Sequence, residues 1–137
     1  MDKSQTSMHS GKHILVVDDD DAIQAILNLA LESENYQVTS AYSALEALEI
    51  LKKDASPYDL IILDLYMPQM NGFEFAEQLK VQGLLEKKKI PIIVSSATNR
   101  PSEKEEAARF DYFLPKPFDL KKLFDACATL TQSPAKS

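Results

Sequence analysis

The sequence contains very little cysteine and histidine. Its 137 residues include one cysteine, Cys127, and two histidines, His9 and His13. A single cysteine cannot form an intramolecular disulfide, and so few Cys and His residues cannot build a zinc site of the usual spacing. The composition therefore predicts a protein of a reducing, cytoplasmic compartment.

Long apolar runs and an excess of positive charge are also missing. The longest apolar stretches, residues 60–63 and 90–94, are far shorter than the roughly 20 residues that a membrane span requires. The N-terminus has no apolar stretch like that of a secretory signal. The formal net charge of -6, from 21 acidic and 15 basic residues, repels nucleic-acid phosphates. We expect neither membrane insertion nor direct nucleic-acid binding.

Glycine is scarce as well, with three residues in the chain. Neither the G-x-x-x-x-G-K-[ST] phosphate loop nor the G-x-G-x-x-G dinucleotide motif occurs, which excludes those two modes of nucleotide binding. The 45% hydrophobic and 26% charged residues are typical of a globular chain of one domain. We predict a domain over residues 12–131, with flexible tails at residues 1–11 and 132–137.

Short β-rich apolar runs alternate with helical patterns five times. The predicted strands are residues 13–18, 36–41, 58–64, 90–96 and 111–114. The intervening segments carry apolar residues at helical spacing, such as Ile23, Ile26, Leu27, Ala30, Leu31 and Leu120, Leu123, Phe124, Cys127, Ala128. Helix starts are predicted by the pairs Ser43 and Glu46, Asn71 and Glu74, and Ser102 and Glu105. Strands that are almost continuously apolar indicate a parallel sheet covered on both faces, hence a doubly wound (βα)5 α/β fold.

Acidic residues stand at the ends of the first and third predicted strands. Asp18 to Asp21 follow the first strand, and Asp64 ends the third. A solvated helix start is an equally good interpretation of Asp20 and Asp21. Asp18, Asp19 and Asp64 are expected to converge at one edge of the sheet, where their mutual repulsion favours a divalent cation such as Mg²⁺.

Hydroxyl and lysine side chains follow the fourth and fifth predicted strands. Ser95, Ser96 and Thr98 form a hydroxyl cluster that on its own is more typical of a turn or cap, and Lys116 lies between Pro115 and Pro117. An acid free to act as a nucleophile, metal-binding acids, a hydroxyl and a lysine together suit phosphoryl transfer.

These motifs resemble the receiver domain of two-component response regulators, and in particular the stand-alone receivers of the chemotaxis type. VVDDDD at 16–21, LDLYMPQMNG at 63–72, VSSAT at 94–98 and PKPF at 115–118 occur in the order of that family. The resemblance covers about residues 13–130. It implies a flavodoxin-like strand order of 2-1-3-4-5 and a site that accepts phosphate from a sensor histidine kinase or a histidine phosphotransfer protein.

The resemblance also implies a role for each matching residue. Asp64 corresponds to the phosphoacceptor, Ser96 to the switch hydroxyl, Phe113 to the switch aromatic and Lys116 to the lysine that neutralises the phosphoryl charge. Asp18, Asp19, Asp64 and the backbone carbonyl of Tyr66 correspond to the ligands of Mg²⁺ or Mn²⁺. The family also commonly has a cis peptide at the position of Lys116-Pro117. Phosphorylation is then expected to reshape the face made by the fourth helix, fifth strand and fifth helix, and so to control binding of a downstream protein.

Two features depart from the family pattern. The segment between Ser96 and Lys116 is shorter than expected, which predicts a short or shifted fourth helix, and Arg109-Phe110 replaces the usual small pair before the fifth strand. Tyr66 and Thr98 occupy positions that commonly control access of the hydrolytic water. We hypothesise that bulky Tyr66 slows self-dephosphorylation.

Three functions remain open at this point. Because few residues follow the last predicted helix, a stand-alone receiver without an output domain is the leading interpretation; it is a phosphorylation-controlled switch and not a turnover enzyme. A receiver-like interaction module that works without phosphate is the alternative. A phosphatase of the haloacid dehalogenase type is disfavoured, because Tyr66 occupies the place of its second catalytic acid.

Overall fold

A computed structural model of the protein describes residues 11–96 and 110–131. Most of the two predicted tails lies outside the described residues. The same is true of Thr98, of Arg109 and of the helix start predicted at Ser102 and Glu105.

Five parallel strands form one sheet in the order β2-β1-β3-β4-β5, which confirms the predicted fold class and strand order. The strands are β1 (His13–Val17), β2 (Gln37–Ala41), β3 (Leu60–Asp64), β4 (Ile92–Ser96) and β5 (Tyr112–Pro115).

Some predicted strand ends are wrong by one or two residues, because polar or turn contacts replace the strand ladder there. Asp111 precedes β5 and its carboxylate accepts the N–H of Ile92. The N–H of Tyr58 donates to Ala55 in a turn, so β3 begins only at Leu60. β4 begins at Ile92, directly after Pro91, which has no N–H to give to a ladder.

Four helices lie among the described residues: α1 (Asp21–Ser33), α2 (Ala44–Lys53), α3 (Gly72–Val81) and α4 (Leu120–Thr131). Asn71 and Glu74 form the predicted reciprocal capping box at the start of α3. At α2 the hydroxyl of Ser43 caps the helix, but the Glu46 carboxylate accepts the N–H of Tyr42 instead of that of Ser43. The capping box predicted there is therefore only half formed. No helix in the described part of the chain is long and apolar enough to span a membrane.

The helices cover both faces of the sheet. Leu15 and Val17 of β1 face the layer that contains α2 and α3, whereas Ile14 and Val16 face α1 and α4. All four side chains are fully buried. The apolar character of β1 is thus explained by a strand that packs against helices on each side.

The apolar stripe predicted for α1 is partly wrong. Ile26 is 49% exposed, whereas Gln24 is buried together with Leu27 and Leu31. These three residues follow i, i+3 and i+7 spacing, so the helix is rotated relative to the prediction and presents an amide to the sheet. In α4, Leu123 and Cys127 are buried as predicted, but Leu120 in the first turn is 43% exposed.

Candidate functional site

Three carboxylates meet at the carboxyl edge of the sheet. Asp18 follows β1 and Asp64 ends β3, and these two strands are paired up to Val17 and Leu63. One carboxylate oxygen from each of Asp18, Asp19 and Asp64 lies within 4.8 Å of the others. Asp18 and Asp64 are buried and Asp19 is exposed. The structure therefore brings together the three acids that the sequence placed at this edge.

Lys116 joins the carboxylates from the other side. Its Nζ lies 3.1 Å from Asp18 Oδ2 and 3.6 Å from Asp64 Oδ1. Asp18 and Lys116 are 98 residues apart in the chain, and only the strand order makes them neighbours. The bond between Lys116 and Pro117 is cis, as the resemblance predicts.

The end of β4 holds the backbone on both sides of this cluster. The carbonyl of Ser95 accepts the N–H of Leu65, the residue after Asp64, at 3.0 Å. The carbonyl of Ser96 accepts the N–H of Lys116, also at 3.0 Å. β4 therefore fixes the spacing between the acid at the end of β3 and the lysine after β5.

Burial raises the pKa of Asp64 to about 6, and the neighbouring charge of Asp18 adds to the rise. Lys116 and the N–H of Tyr66, which donates to Asp64 Oδ1 at 3.2 Å, act in the opposite direction. Asp64 is therefore a more basic carboxylate than an exposed aspartate, and it is still mainly ionised at neutral pH.

The donor set at this edge suits a hard divalent cation. Mg²⁺ is bound in proteins by one or two carboxylates together with water and phosphate oxygens. Asp18, Asp19 and Asp64 supply carboxylate oxygens at close range, two of them from buried residues. Tyr66, whose carbonyl is the fourth predicted ligand, is held beside Asp64 by its own N–H. The residues present therefore fit Mg²⁺ or Mn²⁺.

The two predicted switch residues lie on the neighbouring strands. Ser96 is buried at the end of β4, and the preceding residue, Ser95, pairs with Asp64 across the sheet. Phe113 pairs with Val94 and packs, partly buried, against the core layer of α2 and α3. Ser96 is one strand and Phe113 two strands away from Asp64.

The structure also adds residues that the sequence did not identify with the site. Gln24 is 1% exposed and donates to backbone carbonyls at the ends of β1 and β2. The sequence contains one signal for its burial, because Gln24, Leu27 and Leu31 follow i, i+3 and i+7 spacing on one face of α1. Asp20 caps α1 by accepting the N–H groups of Ala22 and Ile23, which confirms the helix-start interpretation for that residue.

Gly72 is required where α3 begins beside the site. A Cβ at this position would lie 2.9 Å from Leu65 Cα and 3.0 Å from the carbonyl oxygen of Asp64. The N–H of Gly72 donates to the carbonyl of Leu65 at 2.8 Å. The loop after Asp64 is thus packed directly against the first turn of α3.

Comparison with known proteins identifies relatives across most of the chain. The response regulator receiver domain family matches residues 14–128. Response regulator MprA of Mycobacterium ulcerans (strain Agy99) is 38% identical over 112 residues, which are 80% of this chain and 46% of MprA. The chain thus spans about half the length of the curated relatives it matches.

Solved structures agree with this match. The chemotaxis protein CheY4 of Vibrio cholerae is 28% identical with a TM-score of 0.77, covering 88% of this chain and 99% of CheY4. A putative response regulator from Chloroflexus aurantiacus is 27% identical with a TM-score of 0.79, covering 89% of this chain and 98% of that protein. The chain therefore belongs to the response regulator receiver domain family of two-component signalling proteins.

Proposed function

We propose that Asp64 accepts a phosphoryl group from a sensor histidine kinase or a histidine phosphotransfer protein, in a reaction that requires Mg²⁺ or Mn²⁺. The observation that carries this proposal is the meeting of three carboxylates and Lys116 at one edge of the sheet. We place the reaction in the cytoplasm, in keeping with a single cysteine that cannot form an intramolecular disulfide.

The transfer uses the ionised carboxylate of Asp64 as the nucleophile. A carboxylate oxygen forms a bond to phosphorus, while the bond from phosphorus to the donor breaks and the donor keeps its electron pair. Asp64 is mainly ionised at neutral pH even in the metal-free protein, where its pKa is raised to about 6, so a carboxylate oxygen is available to attack phosphorus. Positioning and charge neutralisation supply most of the catalysis in such transfers.

Charge compensation at the site comes from two sources. The divalent cation would be held by the carboxylates of Asp18, Asp19 and Asp64 and by the carbonyl of Tyr66. When bound, it would neutralise phosphoryl charge. Lys116, now paired with Asp18 and Asp64, contacts the new phosphoryl group instead.

The acyl phosphate then acts as a switch. The phosphoryl oxygens favour a position of the Ser96 hydroxyl close to them, and Phe113 on the neighbouring strand moves inward into the space released. The surface made by β5 and α4, which is the helix predicted as the fifth, changes shape. Binding of a downstream protein changes with it. The domain is modified once per cycle and is not a turnover enzyme.

The proposal is tested by intact mass after incubation with acetyl phosphate and Mg²⁺. We expect wild type to gain one phosphoryl group and Asp64→Asn to gain none. Asp125→Asn is the matched control, because Asp125 is an exposed aspartate of α4 paired with Lys121. It should be phosphorylated like wild type. Absence of phosphorylation from both acetyl phosphate and a phosphorylated kinase would overturn the proposal in favour of an interaction module that works without phosphate.

A further inference from the structure

A buried amide lies directly beneath the acidic cluster. The side chain of Gln24 projects from α1 toward the sheet and is 1% exposed. Its Nε2 lies 3.1 Å from the carbonyl oxygen of Val16, 3.0 Å from that of Asp18 and 2.9 Å from that of Ala41. Three carbonyl groups from the ends of β1 and β2 thus converge on one amide nitrogen.

This arrangement requires a hydrogen-bond donor at position 24. The amide nitrogen carries two hydrogens, which are shared among three acceptors. An apolar side chain would leave buried carbonyl groups without this donor, and a carboxylate would place negative charge against them. The amide of Gln24 therefore serves as a hydrogen-bond donor to the backbone on a helix face that is otherwise apolar.

The contact with Asp18 is the one that reaches the site. A carbonyl and the N–H of the following residue share one planar peptide, so Gln24 fixes the peptide that links Asp18 to Asp19. These two residues supply two of the three clustered carboxylates. The orientation of this peptide, through ψ of Asp18 and φ of Asp19, sets the relative direction of the two Cα–Cβ bonds.

The remaining polar atoms of Asp18 are already held. Its N–H donates to the carbonyl of Ala41 at 3.1 Å, and its Oδ1 accepts the N–H of Asp20 at 2.9 Å. Its Oδ2 lies 3.1 Å from the Lys116 ammonium. The bond from Gln24 completes a set in which every polar atom of Asp18 has a partner.

Asn28, one turn further along α1, supports Gln24. Its Nδ2 donates to the backbone carbonyl oxygen of Gln24 at 2.7 Å and to the Ser40 hydroxyl at 2.9 Å, and it lies 3.5 Å from the side-chain Oε1 of Gln24. The amide network therefore extends from α1 to β2, which is the edge strand of the sheet.

We infer that Gln24 is a positioning residue that sets the geometry of the Asp18–Asp19 pair for binding a divalent cation, an inference that rests on the proposed function. It acts through the backbone and does not itself contact the cation. Residues that orient metal ligands typically contribute 10–100-fold to metal affinity, so we expect Gln24→Met to weaken Mg²⁺ binding about tenfold. Methionine keeps the length and the unbranched shape of glutamine but has no donor.

The test is a Mg²⁺ titration of the metal-free protein, with the backbone amide signals monitored by NMR. Leu31→Ala is the control, since Leu31 is fully buried on the same helix and its loss lowers stability without touching the site. We expect Gln24→Met to raise the Kd for Mg²⁺ and to shift the amide nitrogen signal of Asp19 before metal is added. Leu31→Ala should bind Mg²⁺ as wild type does.

Each outcome separates the inference from the proposed function. If wild type itself binds no Mg²⁺, the proposed function fails. If wild type binds and Gln24→Met binds with the same Kd, the positioning role is overturned. Equal weakening in Gln24→Met and Leu31→Ala would also overturn it, because loss of stability alone would then explain the effect. Should Gln24→Met not fold, Asn28→Leu replaces it, with a smaller increase in Kd expected and an unchanged Kd counting against the inference.

Discussion

The carboxylate of Asp64 is ionised at neutral pH at some cost to stability. Its pKa is raised to about 6 in the folded protein by burial and by Asp18, against an ordinary value of 3.8 in the unfolded chain. Between these two values the folded state binds more protons than the unfolded state. The contribution of the Asp64 carboxyl group to the free energy of unfolding is therefore fully present below about pH 4, and it is lost as the pH rises through about 6.

We predict that Asp64→Asn stabilises the metal-free protein at neutral pH. The rise in pKa corresponds to at most about 3 kcal/mol, which solvent screening reduces to about 1–2 kcal/mol. The gain in free energy of unfolding should be largest above about pH 6 and should shrink toward about pH 4. Urea unfolding of both proteins across this range measures it, with Asp125→Asn as an exposed control. A difference that does not change with pH would contradict the assigned cause.

The size of the Tyr66 side chain is expected to affect the lifetime of the acyl phosphate. Tyr66 is 44% exposed, and its N–H is bonded to Asp64, so the residue lies beside the proposed phosphorylation site. We predict that Tyr66→Asn shortens the lifetime of the acyl phosphate several-fold, because a smaller side chain admits water more readily. Tyr42→Asn is the matched control, since Tyr42 is equally exposed but follows the edge strand β2. An unchanged lifetime in Tyr66→Asn disproves the hypothesis.

Among the connections between elements, the one from β3 to α3 is closely packed at Gly72. Gly72 has no room for a Cβ, because backbone atoms of Leu65 and Asp64 lie within about 3 Å of where it would be. We predict that Gly72→Ala lowers the free energy of unfolding by about 1–3 kcal/mol and slows phosphorylation of Asp64. Denaturant unfolding and the rate of mass gain with acetyl phosphate measure the two effects.

The control for that substitution lies on the same helix. Glu77 is exposed on α3, so Glu77→Ala should leave both stability and phosphorylation unchanged. Gly72→Ala with wild-type stability would show that the loop after Asp64 can move away from the helix, contrary to the close packing described.

The helix starts at Ser43 and Asn71 and the identities of the strands could be predicted because their signals are local. Asn71 and Glu74 interact across three residues, and the apolar runs of the strands are contiguous in sequence. The rotation of α1 could not be predicted, because both Ile26 and Gln24 fit a helix and only the packing against β1 and β2 decides which is buried. Strand ends such as Asp111 depend on side-chain contacts with another strand, which no local pattern contains.

At the scale of the whole molecule, the site is assembled by the strand order. Asp18, Asp64 and Lys116 come from three strands that the parallel topology aligns at one edge. Because their motifs stand at strand ends, the sequence predicted this meeting. The backbone contacts of Gln24 and of the Tyr66 N–H were missed, since they follow from local geometry that residue identity does not specify.

Cation binding should also be visible in the stability of the whole domain. The three carboxylates come together only in the folded state, so Mg²⁺ binds that state preferentially. We predict that Mg²⁺ at about 100 times its Kd raises the free energy of unfolding by about 2.7 kcal/mol. Thermal unfolding with and without Mg²⁺ measures this gain. Asp19→Asn should lose most of it, and an equal gain in that variant would place the cation elsewhere.

Phosphorylation of Asp64 is tested directly by chemical identification of the phosphorylated residue. After phosphorylation in the presence of Mg²⁺, borohydride reduces an acyl phosphate to an alcohol, which converts the modified aspartate to homoserine. Peptide mass spectrometry then locates the change. We expect homoserine at position 64 and at no other aspartate. Homoserine at position 18 or 19, or a phosphorylated protein without homoserine, would contradict it.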